Sequence, residues 1–348
     1  MCGIAGLFVG CTAMALCPRA LLGQPALNQD SELTGPSNDD YRSPFRNWDE
    51  RSAVRARPRR TLSPDDDSSL YFSPDLVPVA AHDLVRHLRP ELFEQVLTQH
   101  LYRYLAFTEK LETLVVNGTV LAIASGSVGV PLPDEMRLDA YRIYCDEAYH
   151  ALFSVDLMRQ VVARTGTQPV LPDQPYFLRR LQEIQAALPS PMRPLAELLF
   201  VTISETLISA TMGEVPMDPT VAPAVRDAIR DHAVDEGRHH AYFAIFLRHL
   251  WGALDSAGRR EAALLAPRLI DAFLRPDQPA IRSELQSYGL TRDDAEQVVS
   301  EVYGENTVRT QVAAMAQRTV QYFAALEVFA APEVADEFHR YGLQPAAQ

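Results

Sequence analysis

The chain is short of positive charge: 32 lysines and arginines stand against 45 acids, a formal net charge of −13. That deficit argues against a nucleic-acid partner, whose phosphates require a basic surface. Cysteine is equally sparse. The four present are Cys2, Cys11, Cys17 and Cys145, with no Cys-x-x-Cys pair and no framework spacing, so reduced thiols in a cytoplasmic protein are expected. The apolar run within residues 1–27 is too short to span a bilayer, and no membrane association is expected. Its first basic residue, Arg19, follows the apolar run, whereas a secretory signal places positive charge ahead of it. Sustained alternation of apolar and polar residues is also missing, which removes the signature of strands.

What is there is a soluble, helix-rich composition. With 348 residues, 47% hydrophobic and 22% charged, the chain is long enough to bury a substantial core. Residues 28–75 are rich in Asp, Ser, Pro and Arg, with a basic patch from Arg51 to Arg60, and read as linker or tail. Tyr71 to Ala81 carries two prolines among apolar residues and reads as an extended segment laid over a core. From Pro90 onward apolar residues recur at helical spacing. Helices are expected over 90–125, 134–164, 176–188, 193–212, 221–254, 257–274, 279–302 and 306–329. The division that follows is a poorly structured tail over 1–70, one helical domain over 71–330 and a C-terminal tail over 331–348. The fold class is all-α.

Glu-x-x-His occurs twice and nowhere else, at Glu147/His150 and Glu236/His239, each copy preceded by an aspartate, Asp146 and Asp235. A pair of such motifs in an all-helical chain is the signature of a dinuclear metal site in a four-helix bundle, which adds a lone glutamate from each remaining helix. Imidazole and carboxylate together suit iron, and carboxylates bridge two ions while neutralising their charge. Asp146 and Asp235 are natural partners for the ring N–H groups of the two histidines. On the helix before the second motif, Glu205 sits amid apolar residues, whereas Glu197 lies in the first turns, where a charge is ordinary. Before the first motif, periodicity separates Glu109 from Glu112 poorly. Spacing favours Glu112: it precedes Glu147 by 35 positions, and Glu205 precedes Glu236 by 31, so the halves read as an internal repeat. His232 stands four residues before Glu236 and seven before His239, on the same helical face.

The pattern resembles the para-aminobenzoate N-oxygenase family of diiron oxygenases, in which each half carries a glutamate followed at this spacing by Asp-Glu-x-x-His. That family adds a third histidine one turn before its last glutamate, the position of His232. The similarity covers roughly Tyr71 to Leu254. It implies a ferritin-like bundle with additional C-terminal helices and seven ligands: Glu112, Glu147, His150, Glu205, His232, Glu236 and His239. It also implies two iron ions (manganese is the alternative at one position), O₂ as co-substrate, and electrons from a reductase or ferredoxin. The expected reaction oxidises an arylamine to its hydroxylamine, nitroso or nitro product in bacterial secondary metabolism. C–H hydroxylation on the same scaffold is the alternative, and a ferritin-like iron-binding role is less favoured. Tyr104, two turns before Glu112, is a candidate for the substrate pocket, with an ordinary core tyrosine as the competing assignment. A homodimer is left open. Cys145 is expected to be buried packing. The start Met1-Cys2-Gly3 resembles class II glutamine amidotransferases, but the large β-rich domain that activity needs does not follow, and the likeness is set aside.

Overall fold

The protein is described by a computed structural model covering residues 41–64, 70–208 and 218–345. The chain enters through two single-turn helices, α1 (Trp48–Arg51) and α2 (Ala53–Ala56). Two 3₁₀ turns, Pro74–Leu76 and Pro78–Ala81, follow, then the short α3 (Asp83–Arg86). The prolines set these turns, and Val77 and Val79 pin them to the core. α4 (Pro90–Leu111) starts with proline at its first position, where the absent N–H would have had no helical partner. It runs without a break through a π turn (Glu112–Val116) into α5 (Asn117–Ser125). α6 (Asp134–Thr165) has acids in its first turn, favourable against the helix dipole, and ends at Gly166, whose φ of 70° supplies a left-handed cap.

α7 (Tyr176–Ala187), α8 (Arg193–Leu207) and α9 (Pro223–Ala253) come next. The remainder is α10 (Ser256–Leu274), α11 (Gln278–Ser287), α12 (Arg292–Val302), α13 (Glu305–Ala325) and α14 (Pro332–Arg340). The continuous α4–α5 unit packs on α6, α6 on α9, α9 on α8, and α8 back against α5 and the π turn. That closed ring is a ferritin-like four-helix bundle. α7, α10 and α13 cover the outer face of α8, which is why nearly every residue of α8 is buried. No strand occurs among the described residues, where the only β-type contact is one parallel bridge between Leu70 and Val221. Nor is any described helix long and apolar enough to cross a membrane.

Five places differ from the sequence reading. The segment from Tyr71 to Ala81, expected to be extended, is wound into the two 3₁₀ turns over Pro74–Leu76 and Pro78–Ala81. The expected helix over 279–302 is two, because Gly289 adopts φ 94° between α11 and α12. Residues assigned to a C-terminal tail include α14, whose Val334 and Phe338 are buried. Residues 41–64, assigned to the N-terminal tail, lie across the bundle and bury Phe45 and Ala53. Two scattered anchors among charged residues leave no period to read. Cys145 is exposed, not buried, since it lies on the outward side of the helix whose inner side carries Asp146 and Glu147. The other three cysteines and the Met1-Cys2-Gly3 start lie outside the described residues, as do positions 209–212, the end of the helix expected over 193–212.

Candidate metal centre

Each bundle helix brings a glutamate to the axis. Glu112 comes from the π turn, Glu147 from α6, Glu205 from α8 and Glu236 from α9, and all four are fully buried with His150, His232 and His239. Glu109, the rival of Glu112, stays near the surface beside Lys110 at 3.1 Å. Glu197 accepts from Gln185 at 3.3 Å.

Two groups have ligand atoms mutually within 4.8 Å: His150 with His232 and Glu236, and Glu147 with Glu205, Glu236 and His239. Glu236 belongs to both. Its Oε1 lies 3.1 Å from His232 Nε2, 3.4 Å from His150 Nδ1 and 3.5 Å from His239 Nδ1. Glu147 also spans the pair, with its oxygens 2.7 Å from His150 Nδ1 and from His239 Nδ1. Glu112 stands outside both groups but feels the charge of Glu147, Glu205 and Glu236.

The chemistry of this donor set fits a pair of cations. Both oxygens of Glu112, Glu205 and Glu236, Oε1 of Glu147, Nε2 of His232 and Nδ1 of His239 are buried without a hydrogen-bond partner. Close contacts such as Glu147 to His239 lack hydrogen-bond alignment. A single unpaired buried carboxylate costs several kcal/mol, and here four converge. Two divalent ions would match their charge.

Among these side chains alone, burial and then the charge of Glu147 push Glu112 and Glu205 well above the usual carboxylate range. Burial also acts upward on Glu147 and Glu236, but the His239 charge overrides it and both are lowered. Burial pulls His150 and His239 down, yet Glu147 reverses this and both are raised well above the ordinary histidine value. His232 is lowered by burial and by the charge of His150.

The outer ring nitrogens are held in a crossed pattern. Asp235, from the second motif, meets His150 Nε2 at 3.2 Å, and Asp146, from the first, meets His239 Nε2 at 3.2 Å. Tyr104 sits on the third histidine, its hydroxyl 2.7 Å from His232 Nδ1. His240 turns away to Tyr322 Oη at 2.7 Å. Four participants had no signal in the motif pattern: Phe45 stacks on His239, Phe153 packs against His150 and His232, and Trp48 and the Ala53 amide bond the two aspartates. An aromatic pair in an otherwise polar tail was the available hint. Outside Phe153, a surface cavity of about 240 Å³ opens between Arg59, Arg60, Tyr149 and Leu152.

Residues 41–327 match the family model described as p-aminobenzoate N-oxygenase AurF. The chain is also similar to the 4-aminobenzoate N-oxygenase of Streptomyces thioluteus, at 24% identity over 246 residues covering 70% of each chain.

Proposed function

The chain belongs to the p-aminobenzoate N-oxygenase family, and on that premise we propose that it uses a dinuclear iron centre and O₂ to oxidise the nitrogen of a small arylamine. The observation that carries the proposal is the convergence of buried, unpartnered Glu and His donors from all four bundle helices. His150, His232 and Glu236 would hold one ion; Glu147, Glu205, Glu236 and His239 would hold the other; Glu112 would complete the set. Iron bound there supplies the Fe(II)/Fe(III) couple through which O₂ reacts, with manganese the alternative at one position.

The chain's own residues prepare that chemistry. Asp235 and Asp146 accept the outer N–H of His150 and His239, which fixes the tautomer and turns each lone pair inward. Phe45 and Phe153 close the histidine faces against water. In balance, the amine, O₂, two electrons and two protons give the hydroxylamine and water. A reductase or ferredoxin supplies the electrons. The arylamine is of the 4-aminobenzoate class, because that is what the Streptomyces relative is named for.

The test is to load the chain with Fe(II) without air, then add 4-aminobenzoate, a reductant and O₂, and follow products by mass spectrometry. Oxygen added at nitrogen, abolished in Glu205→Ala, is the expected outcome. Oxygen on the ring carbon would establish the C–H hydroxylase instead. Iron oxidation with the amine untouched would leave only an iron-binding bundle.

A further inference from the structure

Residues 41–64 form a strap across α6 and α9, the two helices that carry the repeated motif. Tyr41 donates to Asp139 at 2.6 Å, Arg59 forks onto Asp156 at 2.8 Å, and Leu62 N–H donates to Gln160 at 2.9 Å, all on α6. Arg57 and Arg60 meet Asp231 on α9. Between these clamps the strap reaches inward at two points. Trp48 Nε1 lies 2.9 Å from both oxygens of Asp146, and the Ala53 amide lies 3.1 and 3.3 Å from those of Asp235. Each aspartate also faces the outer nitrogen of one histidine, at 3.2 Å. Arg238 contributes a further donor to Asp235. Phe45, on the same strap, stacks on His239 with ring centroids 5.9 Å apart.

We propose that the strap is an integral part of the metal centre: Trp48 and the Ala53 amide are positioning groups that orient His239 and His150 through Asp146 and Asp235, so that strap seating and metal binding stabilise each other. The physical link is the ring tautomer. An aspartate fixed by a strap donor accepts from the outer nitrogen only when that nitrogen carries the proton, so in the neutral ring the lone pair sits on the inner nitrogen, where a cation can take it. A cation on the inner nitrogen holds the same tautomer and keeps the aspartate where the strap donors need it. Thermodynamic coupling of this kind is reciprocal. The inference rests on the proposed reading of the seven side chains as ligands.

The test uses the full-length chain with Co(II), whose visible absorption reports ligand geometry. Trp48→Phe keeps the ring and removes the donor; it should weaken Co(II) binding about tenfold and alter the absorption bands. Trp48→His, which retains a ring N–H, should restore part of both. Arg260→Ala, at the exposed ion pair with Glu333, should change neither. In the unmutated chain, Co(II) should slow hydrogen exchange at the Ala53 amide. If Trp48→Phe only lowers the melting temperature, with affinity, spectrum and Ala53 exchange all indifferent to the pairing, the strap is mere packing and the proposal is overturned. If the unmutated chain takes up no Co(II), the metal reading falls first.

Discussion

His232 faces two ways. Its Nε2 lies 3.1 Å from the shared carboxylate of Glu236, and its Nδ1 lies 2.7 Å from the Tyr104 hydroxyl. These contacts separate two roles that mutation can distinguish. His232→Ala removes a donor from the three-residue group, so bound metal should fall from two ions toward one. Tyr104→Phe leaves every donor in place and loosens only the ring; both ions should remain, with affinity down about tenfold. Elemental analysis after equilibrium dialysis measures both. A His232→Ala protein that retains two ions would remove the histidine from the ligand set. Of the site's side chains, those in the repeated motif were readable because their spacing is fixed by the helix. Glu112 was separable from Glu109 only by comparing the two halves, and Tyr104's partner was unreadable because it lies 128 positions away.

At the scale of the element, the π turn at Glu112–Val116 settles how one long helix serves two faces. Asn117 N–H reaches back to Glu112 O, five residues away, so one extra residue enters the turn and the following helix is rotated by about 100° relative to an α-helix. Upstream, Leu101, Leu105 and Leu111 stay in the core; downstream, Val120, Ile123 and Ala124 do too. Deleting Leu114, which is 55% exposed, should return the segment to α geometry. The chain should remain helical by circular dichroism while Co(II) binding is lost; undiminished binding would show that the extra residue does not aim Glu112. The apolar pattern runs across this turn without a gap, so the sequence reads as one helix over 90–125 and the re-phasing is invisible. The split between α11 and α12 is hidden in the same way, by a single glycine inside an apolar period.

For the whole molecule, the buried charges tie stability to pH and to metal. Glu112, Glu205, His150 and His239 all have raised values in the fold. At these four groups the folded metal-free chain binds more protons than the unfolded one, and the stability they contribute is present at low pH and lost as pH rises through those values; His100, His232, His240 and His249 are lowered by burial and act in the other sense. Glu147 and Glu236 are lowered, so their contribution is lost only as pH falls below the ordinary carboxylate range. Metal acts in the opposite sense to the first set, because cations must displace those protons. At a fixed Co(II) concentration the rise in melting temperature should thus grow as pH rises, and free Co(II) at a thousandfold excess over Kd corresponds to about 4 kcal/mol of stabilisation. Calorimetry at several pH values checks it, and a metal-induced rise that shrinks with pH would contradict the assignment. Bundle architecture was legible in the sequence because helical period and motif spacing are local properties. The strap was not, because its energy lies in contacts to residues about 100 to 180 positions away, such as Trp48 to Asp146 and Ala53 to Asp235.

The crossed pairing of Asp146 with His239 and Asp235 with His150 carries one more consequence. Neither half of the repeat is self-sufficient, since each supplies the brace for the other's imidazole. An aspartate that drifts in one copy spoils the histidine of its twin, so the copies are bound to change together. The arrangement works as a lock with two keys, each cut by the opposite half.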